Sequence, residues 1–476
     1  MASNLSSYLY KFGERVLTHA TTFVVSIVLA RLLTPSDYGT LSIIMVFIVF
    51  SQVIIEGGLS SSLIQKKEIN EGDYNTTLTI TLILATLFYI ILCYSSNLLE
   101  GWLNMPKLAL FLKIVALTLF PAAYLSVIKA KLVREMRFKI QMYVTFICSL
   151  LSGITGIIFA HAGYGIWSLI IQQLTNTTLL LILYSIRIQW LPKIIFNINL
   201  SIAKQLYDYG WKIMLTNLLV RGNNEIISLA IGKNFTKASL GFYDRGKQFP
   251  QAASENIDST IQSVLFPILS RCQHDKVQLL AKTRNMQSLG AYLLYFILAI
   301  IAGAAPTYVP MLLTEKWIGC IPFLMAWCIC YILNVYTIIA TTAINSVGYS
   351  NMTLKRQLLT TLPSLAIVLY VVISSDNVFN VMIAKIFLMP YMFFITAYFQ
   401  KKAIKYRYAD QIKDLLPNLL MALVVFGGVY ICNYIELHRI VILIIQFMAG
   451  CIIYLGLSYI FKVNSLQYLR NYVIKK

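Results

Sequence analysis

The sequence predicts an all-α polytopic membrane protein with about 14 transmembrane helices, and three observations carry that prediction. The chain is 58% hydrophobic and only 12% charged over 476 residues, with a mean hydropathy of +0.72. That balance leaves too little polar surface to hold a soluble domain of this length in water. Apolar stretches of roughly 20 residues recur along the whole chain. Lys and Arg concentrate in alternate connections between them, as a chain that crosses a bilayer repeatedly requires.

The stretches centre near residues 23, 52, 86, 118, 151, 175, 221, 259, 296, 333, 366, 388, 426 and 450. The seventh and eighth are weak because both carry charges, but omitting them leaves a long soluble segment in mid-chain. Omitting the two together preserves the alternation, so charge alone also permits twelve helices. With the N-terminus in the cytoplasm, about 28 Lys and Arg fall in inward segments against about 8 outward. The inward groups include Lys129, Lys131, Arg134, Arg137 and Lys139, and later Lys401, Lys402, Lys405, Arg407 and Lys413. Half of the outward charges fall in one predicted loop, "KNFTKASLGFYDRGKQFP", with Lys233, Lys237, Arg245 and Lys247. That loop reads either as a solvated charge group or as a collector of anionic headgroups. Connections are short throughout, the longest, near 187–211, facing the cytoplasm. The opening "MASNLSSYLYKF" lacks an apolar core followed by a small-residue cleavage site, so no cleaved signal peptide is expected. Both termini are placed in the cytoplasm.

The net charge of +20 does not imply nucleic acid, because the basic residues come in small groups between apolar runs and form no continuous basic face. The eight Cys are scattered, several of them inside apolar stretches (Cys93, Cys148, Cys328, Cys330, Cys451), with no metal-type spacing. There is no Gly-rich nucleotide loop, nucleophile elbow or zinc motif, and four His are too few for a catalytic cluster. The expectation is a protein that is not an enzyme and holds no cofactor or metal.

An internal repeat organises the helices. "SIVLARLLTPSDYGTLSII" and "ISLAIGKNFTKASLGFYDRG" both run from an apolar helix through Leu-Ala to a polar segment and a Gly (Gly39, Gly241), six helices apart and in the same orientation. Such a repeat predicts two six-helix lobes related by a parallel pseudo-twofold axis, plus two C-terminal helices. The boundaries fall at 1–190, 191–400 and 401–476.

The segments "LARLLTPSDYGTLSIIMVF", "EGGLSSSLIQKKEI", "WLNMPKLALFLKIVAL", "LTEKWIGCIPFLMAWCI" and "AINSVGYSNMTLKRQ" together make the chain resemble Wzx/WzxC-type polysaccharide flippases of the multidrug/oligosaccharidyl-lipid/polysaccharide exporter superfamily. The resemblance covers nearly the whole chain. It implies movement of an undecaprenyl-pyrophosphate-linked oligosaccharide from the cytoplasmic to the periplasmic leaflet of a bacterial inner membrane, for capsule, O-antigen (lipopolysaccharide) or exopolysaccharide synthesis. A polysaccharide polymerase and chain-length machinery are the protein partners it suggests.

A flippase breaks no bond of its substrate; it needs a polar path for a diphosphate and sugars. Helical spacing supplies polar stripes: Arg15, His19, Thr22 and Ser26 on the first helix; Gln52, Glu56 and Ser60 on the second; Asn217, Arg221, Glu225 with neighbouring Asn224, and Ser228 on the seventh; Glu255, Asp258 and Gln262 on the eighth. Asn334, Thr337, Thr341 and Asn345 form a further series on the tenth. If the lobes face each other as the resemblance implies, these stripes line one cavity.

Arg15, His19, Arg221, Asn217, Asn224 and Lys385 are the candidates for binding diphosphate and sugar. Glu56, Glu225, Glu255 and Asp258 are the candidates for coupling transport to an H+ or Na+ gradient. Each has a structural alternative. Arg15 reads equally as a positive-inside anchor, His19 as an interhelical hydrogen bonder, and the carboxylates as helix-packing partners. Lys113 snorkels, whereas Lys385 lies deeper. Arg221 and Glu225, four residues apart, are spaced to neutralise one another. Two other functions remain open. A drug or cation antiporter of the same superfamily fits poorly with Arg15, Arg221 and Lys385, because like charge repels a cation. A polymerase or ligase calls for a long periplasmic loop, which the sequence lacks.

Overall fold

The computed structural model describes residues 18, 20–195, 200–272 and 275–461. All regular structure among them is helical: two short 3-10 helices, Glu315–Cys320 and Cys432–Tyr434, and eighteen α-helices numbered in chain order, α1 Ala20–Leu32, α2 Pro35–Glu56, α3 Leu59–Gln65, α4 Glu71–Leu103, α5 Leu108–Ala116, α6 Leu119–Arg134, α7 Phe138–His161, α8 Ile166–Ile188, α9 Leu200–Asn234, α10 Lys237–Arg271, α11 Lys276–Gly303, α12 Ala305–Leu313, α13 Ile321–Ser346, α14 Ser350–Ser374, α15 Phe379–Phe387, α16 Met389–Ile404, α17 Tyr408–Ile431 and α18 Arg439–Ile460. Several helices join end to end into single spans. Among the described residues, eleven spans are long and apolar enough to cross a membrane, and the protein is multi-pass. α1, α9, α10 and the short α12 lie outside those spans; with α1, α9 and α10 the described helices are compatible with fourteen crossings.

The segment read as an outward loop is a correction. Lys233 closes α9 and Lys237 opens α10, so Lys237, Arg245 and Lys247 all lie in helix. Gly241 and Gly246 look like loop punctuation in sequence, but both are helical sites of close packing. α9 also begins at Leu200 rather than near 211, which shortens the connection after α8.

The repeated motif starts both helices alike. Thr34 caps α2: its hydroxyl accepts from the Asp37 amide at 3.3 Å, and Asp37 accepts from the Thr34 amide at 2.9 Å. At α10, the Thr236 hydroxyl accepts from the Ser239 amide at 3.2 Å. Each cap satisfies amides that a helix start leaves unpaired. Five residues beyond each Thr comes the Gly of the motif. A Cβ on Gly39 would lie 1.8 Å from the Lys237 carbonyl oxygen, and one on Gly241 would lie 2.0 Å from that of Pro35. The two first turns therefore touch backbone to backbone, a contact no larger residue permits.

The chain divides into two compact units, 1–241 and 242–476. In the first, α9 packs along α2, α3 and α4, and α7 pairs with α8. Several residues that read as topological charges have structural work here. The Arg134 guanidinium, at the end of α6, donates to the carbonyls of Leu63 at 3.0 Å, Ile64 at 3.2 Å and Lys67 at 2.7 Å, and also to that of Lys66. It thereby takes up carbonyls left open at the end of α3. The Lys131 ammonium sits 3.6 Å from the Trp190 ring centroid, and the Trp190 indole N–H donates to Glu71 at 3.0 Å. Backbone amides of Lys193 and Ile195 donate to the side chains of Asn75 and Thr79, strapping the chain after α8 onto α4.

In the second unit, α11 is the central helix, packed on α13 and α17, with α18 on α17 and α14 on α15 and α16. One end of α11 is fixed by Arg284, whose guanidinium grips Asp414 through two hydrogen bonds of 2.7 and 2.9 Å. Such a fork-shaped pair fixes geometry as well as charge. Tyr406 also donates to Asp414, at 2.5 Å. Further along, the Tyr454 hydroxyl donates to the Tyr292 carbonyl at 2.6 Å, tying α18 to α11.

Candidate functional site

In residues 1–241 the site forms where α2 ends and α9 passes it. α2 stops at Glu56 because Gly57 and Gly58 turn left-handed, at φ 52° and 71°, a conformation costly for other residues. The turn also lets α9 approach: a Cβ on Gly58 would lie 2.1 Å from the Gly210 carbonyl oxygen. Farther along α9, Gly222 and Gly232 face Phe50 and Ile43. A seam of small residues thus holds a polar helix against an apolar one by backbone proximity, as small-residue interfaces do in membranes.

The seam leaves the other side of α9 open. Asn217 and Arg221 are exposed, Asn224 and Glu225 half-buried, and Ser228 buried. Arg221 forms no ion pair among the described residues, so the expected pairing with Glu225 is not made. Helical spacing brings the two side chains to one side without compelling contact. The positive charge of Arg221 acts on Glu56 of α2, as does that of Lys129 on α6. Arg221 of α9 and Lys129 of α6 thus lie within electrostatic range of Glu56, a relation that sequence spacing alone did not give. Ser60 of the same stripe is spent on packing, donating to the Ser126 carbonyl at 3.2 Å. On α1, Thr22 is exposed, while Ser26 donates to its own helix at Phe23. Arg15 and His19 lie outside the described residues.

The second unit treats its candidates differently. Asp258 on α10 is only 5% exposed. One carboxylate oxygen accepts from Ser254 at 3.0 Å and from Asn334 of α13 at 2.5 Å, and Asn334 also donates to the Ser254 hydroxyl at 2.8 Å. The other carboxylate oxygen, Oδ1, is buried with no hydrogen-bond partner among the described residues. A buried carboxylate half supplied with donors suits a group that takes up and releases a proton or cation. Glu255, one position from Ser254, is exposed and accepts from Gln251 at 2.7 Å.

Asn334 is thus joined to a candidate carboxylate, whereas the rest of its series is used locally. The Thr341 hydroxyl accepts from Arg356 at 3.0 Å, and Asn345 accepts from Thr353 at 2.7 Å. Lys385 on α15 is half-buried, its ammonium 4.3 Å from the Trp327 ring centroid and 5.5 Å from that of Tyr243. Arg245, expected in a loop, is 4% exposed, its guanidinium 5.6 Å from the Trp317 ring centroid. Sequence reading missed Ser254, Trp327 and Tyr243 as parts of these groups. The signal was present only as a face: Trp327, Tyr331 and Asn334 recur at helical spacing on α13.

The sequence profile of a family described as polysaccharide biosynthesis protein matches residues 28–322. The chain is 24% identical over 313 residues to an uncharacterized membrane protein in the cps region of Klebsiella pneumoniae, covering 64% of each. It is 23% identical to the succinoglycan biosynthesis transport protein ExoT of Rhizobium meliloti, covering 54% of this chain and 52% of that one. It is 24% identical to the lipopolysaccharide biosynthesis protein WzxC of Escherichia coli, covering 64% of this chain and 62% of the relative. The match thus spans less than two thirds of each relative's length. In fold, the chain is similar to the lipid II flippase MurJ in an inward closed conformation, with a TM-score of 0.74 at 13% identity over 96% of this chain and 98% of the other. It is also similar to an inward-facing MATE family multidrug resistance transporter of the MOP superfamily, with a TM-score of 0.60 at 9% identity over 87% and 98% of the two chains.

Proposed function

The chain belongs to the polysaccharide biosynthesis protein family, and from that membership we propose that it is a flippase moving undecaprenyl-pyrophosphate-linked oligosaccharide repeat units from the cytoplasmic to the periplasmic leaflet for surface polysaccharide synthesis. The observation that carries the reading is Arg221: a guanidinium exposed on α9, without an ion pair among the described residues, and in the field of Glu56; α9 is read as crossing the bilayer. A charge at bilayer depth costs about 2.5–3.5 kcal/mol on insertion scales unless water or a counter-charge relieves it. A hydrated path supplies the water, and a passing diphosphate supplies the anion, for which the planar guanidinium has matching donors. Asn217 and Asn224, on the same helix, offer neutral hydrogen bonds to sugar hydroxyls. Glu56 keeps Arg221 from binding too tightly, because a transporter must also release its cargo.

Asp258, held by Ser254 and Asn334, is the leading proton- or sodium-coupling group, with Glu56, Glu225 and Glu255 as further carriers. The protein acts by alternating access in the bacterial inner membrane, with both termini in the cytoplasm. It requires no cofactor and supplies substrate to a polymerase and its chain-length machinery. Deletion of the gene is expected to accumulate lipid-linked repeat units in the cytoplasmic leaflet and to abolish surface polymer. Normal surface polymer with altered drug susceptibility would instead assign the protein to small-molecule export.

A further inference from the structure

Lys355 and Arg356, adjacent near the start of α14, read alike in sequence as topological charges, yet the fold separates them. Lys355 is exposed, whereas Arg356 is only 3% exposed. The Arg356 guanidinium forms no ion pair among the described residues. It donates to the Thr341 hydroxyl of α13 at 3.0 Å and to the Gln357 side chain at 3.3 Å, and its Nε is buried without a hydrogen-bond partner. Both partners are neutral. The titratable group that acts on it, Tyr336, donates its hydroxyl proton to Gln411 at 2.5 Å and so supplies no anion.

A buried charge without a counter-charge is among the costlier arrangements a fold can hold, and a neutral side chain of similar length would fill the same space. The surroundings of Thr341 give the charge a use. Thr341 belongs to the polar series Asn334, Thr337, Thr341 and Asn345, which follows one side of α13. At one end of the series, Asn334 donates to the buried carboxylate of Asp258. At the other, Asn345 is exposed, at the end of α13 that the charge alternation assigns to the cytoplasm. Thr337 and Thr341, between them, are half-buried. A polar line therefore leads from the coupling carboxylate towards one end of the helix, and Arg356 meets it at Thr341, about 10 Å along α13 from Asn334. A fixed positive charge beside a narrow polar route raises the energy of any cation on it, as an arginine does in selective pores. The low dielectric around a buried guanidinium strengthens that effect.

We infer that Arg356 is an electrostatic seal on the cytoplasmic side of Asp258, which keeps a proton or sodium ion held there from leaking along α13 when no cargo moves. The inference rests on the reading of Asp258 as the coupling group and adds to it the residue that makes coupling tight. A driving ion able to reach the cytoplasm by this route would run down its gradient without moving substrate.

The test is ion leak in proteoliposomes containing the purified full chain and no lipid-linked oligosaccharide, read with pH- and sodium-sensitive dyes under an imposed proton or sodium gradient. R356Q is expected to leak the driving ion at least tenfold faster than wild type, and R356M carries the same expectation should R356Q fold poorly. R356K, which keeps the charge, should stay as tight as wild type. The neutral variants should melt no lower than wild type, because the charge they remove is uncompensated. Adding D258N to R356Q should abolish the leak, since the ion passes by way of that carboxylate. A neutral variant as tight as wild type, a leak that R356K shares, or a leak that persists in R356Q/D258N would overturn the seal. Coupling is scored separately, by gradient-driven movement of the lipid-linked oligosaccharide. A tight R356Q alongside gradient-dependent wild-type transport removes the seal and leaves Asp258 as the coupling group, whereas wild-type transport indifferent to both gradients removes the coupling reading together with the seal.

Discussion

α9 and α10 are the two long helices that fall short of membrane-span apolarity, and they handle charge in opposite ways. α9 buries glycines and turns Asn217 and Arg221 outward, with no ion pair on the guanidinium among the described residues. α10, from residue 242 onward, draws its charges in: Arg245 is 4% exposed and Asp258 is 5% exposed. The first arrangement leaves a charge available to a ligand at little structural cost. The second spends hydrogen bonds to keep a carboxylate in place, so altering it disturbs both packing and proton or cation affinity. Polar residues in a membrane protein's helices are therefore not one class; neighbouring helices supply hydrogen-bond partners to some and leave others exposed.

The contrast breaks first at the seam that makes it. Gly58→Leu places a side chain against the Gly210 backbone at a left-handed φ of 71°, and neither backbone can yield. Overpacking alone costs about 1–3 kcal/mol, and the backbone strain adds about 1–2 kcal/mol. The variant is expected to lose most of its folded yield, read by size-exclusion fluorescence of a tagged chain. Asn334→Leu removes a donor from a buried carboxylate and should lower stability by about 1–3 kcal/mol, seen as a lower melting temperature in detergent. If Asp258 is as well partnered as the geometry indicates, Asn334→Asp, which sets a second carboxylate beside it, should destabilise the protein further at neutral pH than at pH 5.

Arg221→Gln sharpens the comparison from the other side. An exposed residue without an ion pair should change stability by less than about 0.5 kcal/mol, yet transport should fall about tenfold, the scale of one charge-assisted contact. Adding Glu225→Gln should not restore transport, because the two residues are not paired. Full transport by R221Q/E225Q at normal expression would show that neutralisation was the only role of Arg221.

Much of this was legible in the sequence. Nearly every predicted apolar centre falls inside a helix, and the two exceptions, near 118 and 388, fall at the short breaks between α5 and α6 and between α15 and α16 within continuous spans, since hydrocarbon thickness dictates span length and composition together. Both weak stretches are long helices, α9 and α10. The first-turn Thr caps are local, their partners lying within a few residues, whereas the motif glycines, legible only as a repeat, meet distant backbone, Gly39 at Lys237 and Gly241 at Pro35. What was not legible depends on contacts between distant residues. Nothing local joins Asp258 to Asn334, or Glu56 to Arg221, and helical spacing suggested Glu225 instead. The basic segment after Lys233 read as a loop because Lys, Arg and Gly are common to solvated turns; Trp317 and Trp327, which receive Arg245 and Lys247, lie far along the chain. Arg134 counted as a topological charge and proved to cap α3 as well.

The most direct measurement is the leaflet distribution of labelled undecaprenyl-pyrophosphate-linked oligosaccharide in proteoliposomes containing the purified chain, under an imposed proton or sodium gradient. Wild type should move the lipid across the bilayer well above protein-free vesicles, with R221Q about tenfold slower at an unchanged melting temperature and D258N insensitive to the gradient. A wild-type rate equal to that of protein-free vesicles, or an R221Q rate equal to wild type, would contradict the assignment of an anionic lipid-linked glycan to the charged face of α9.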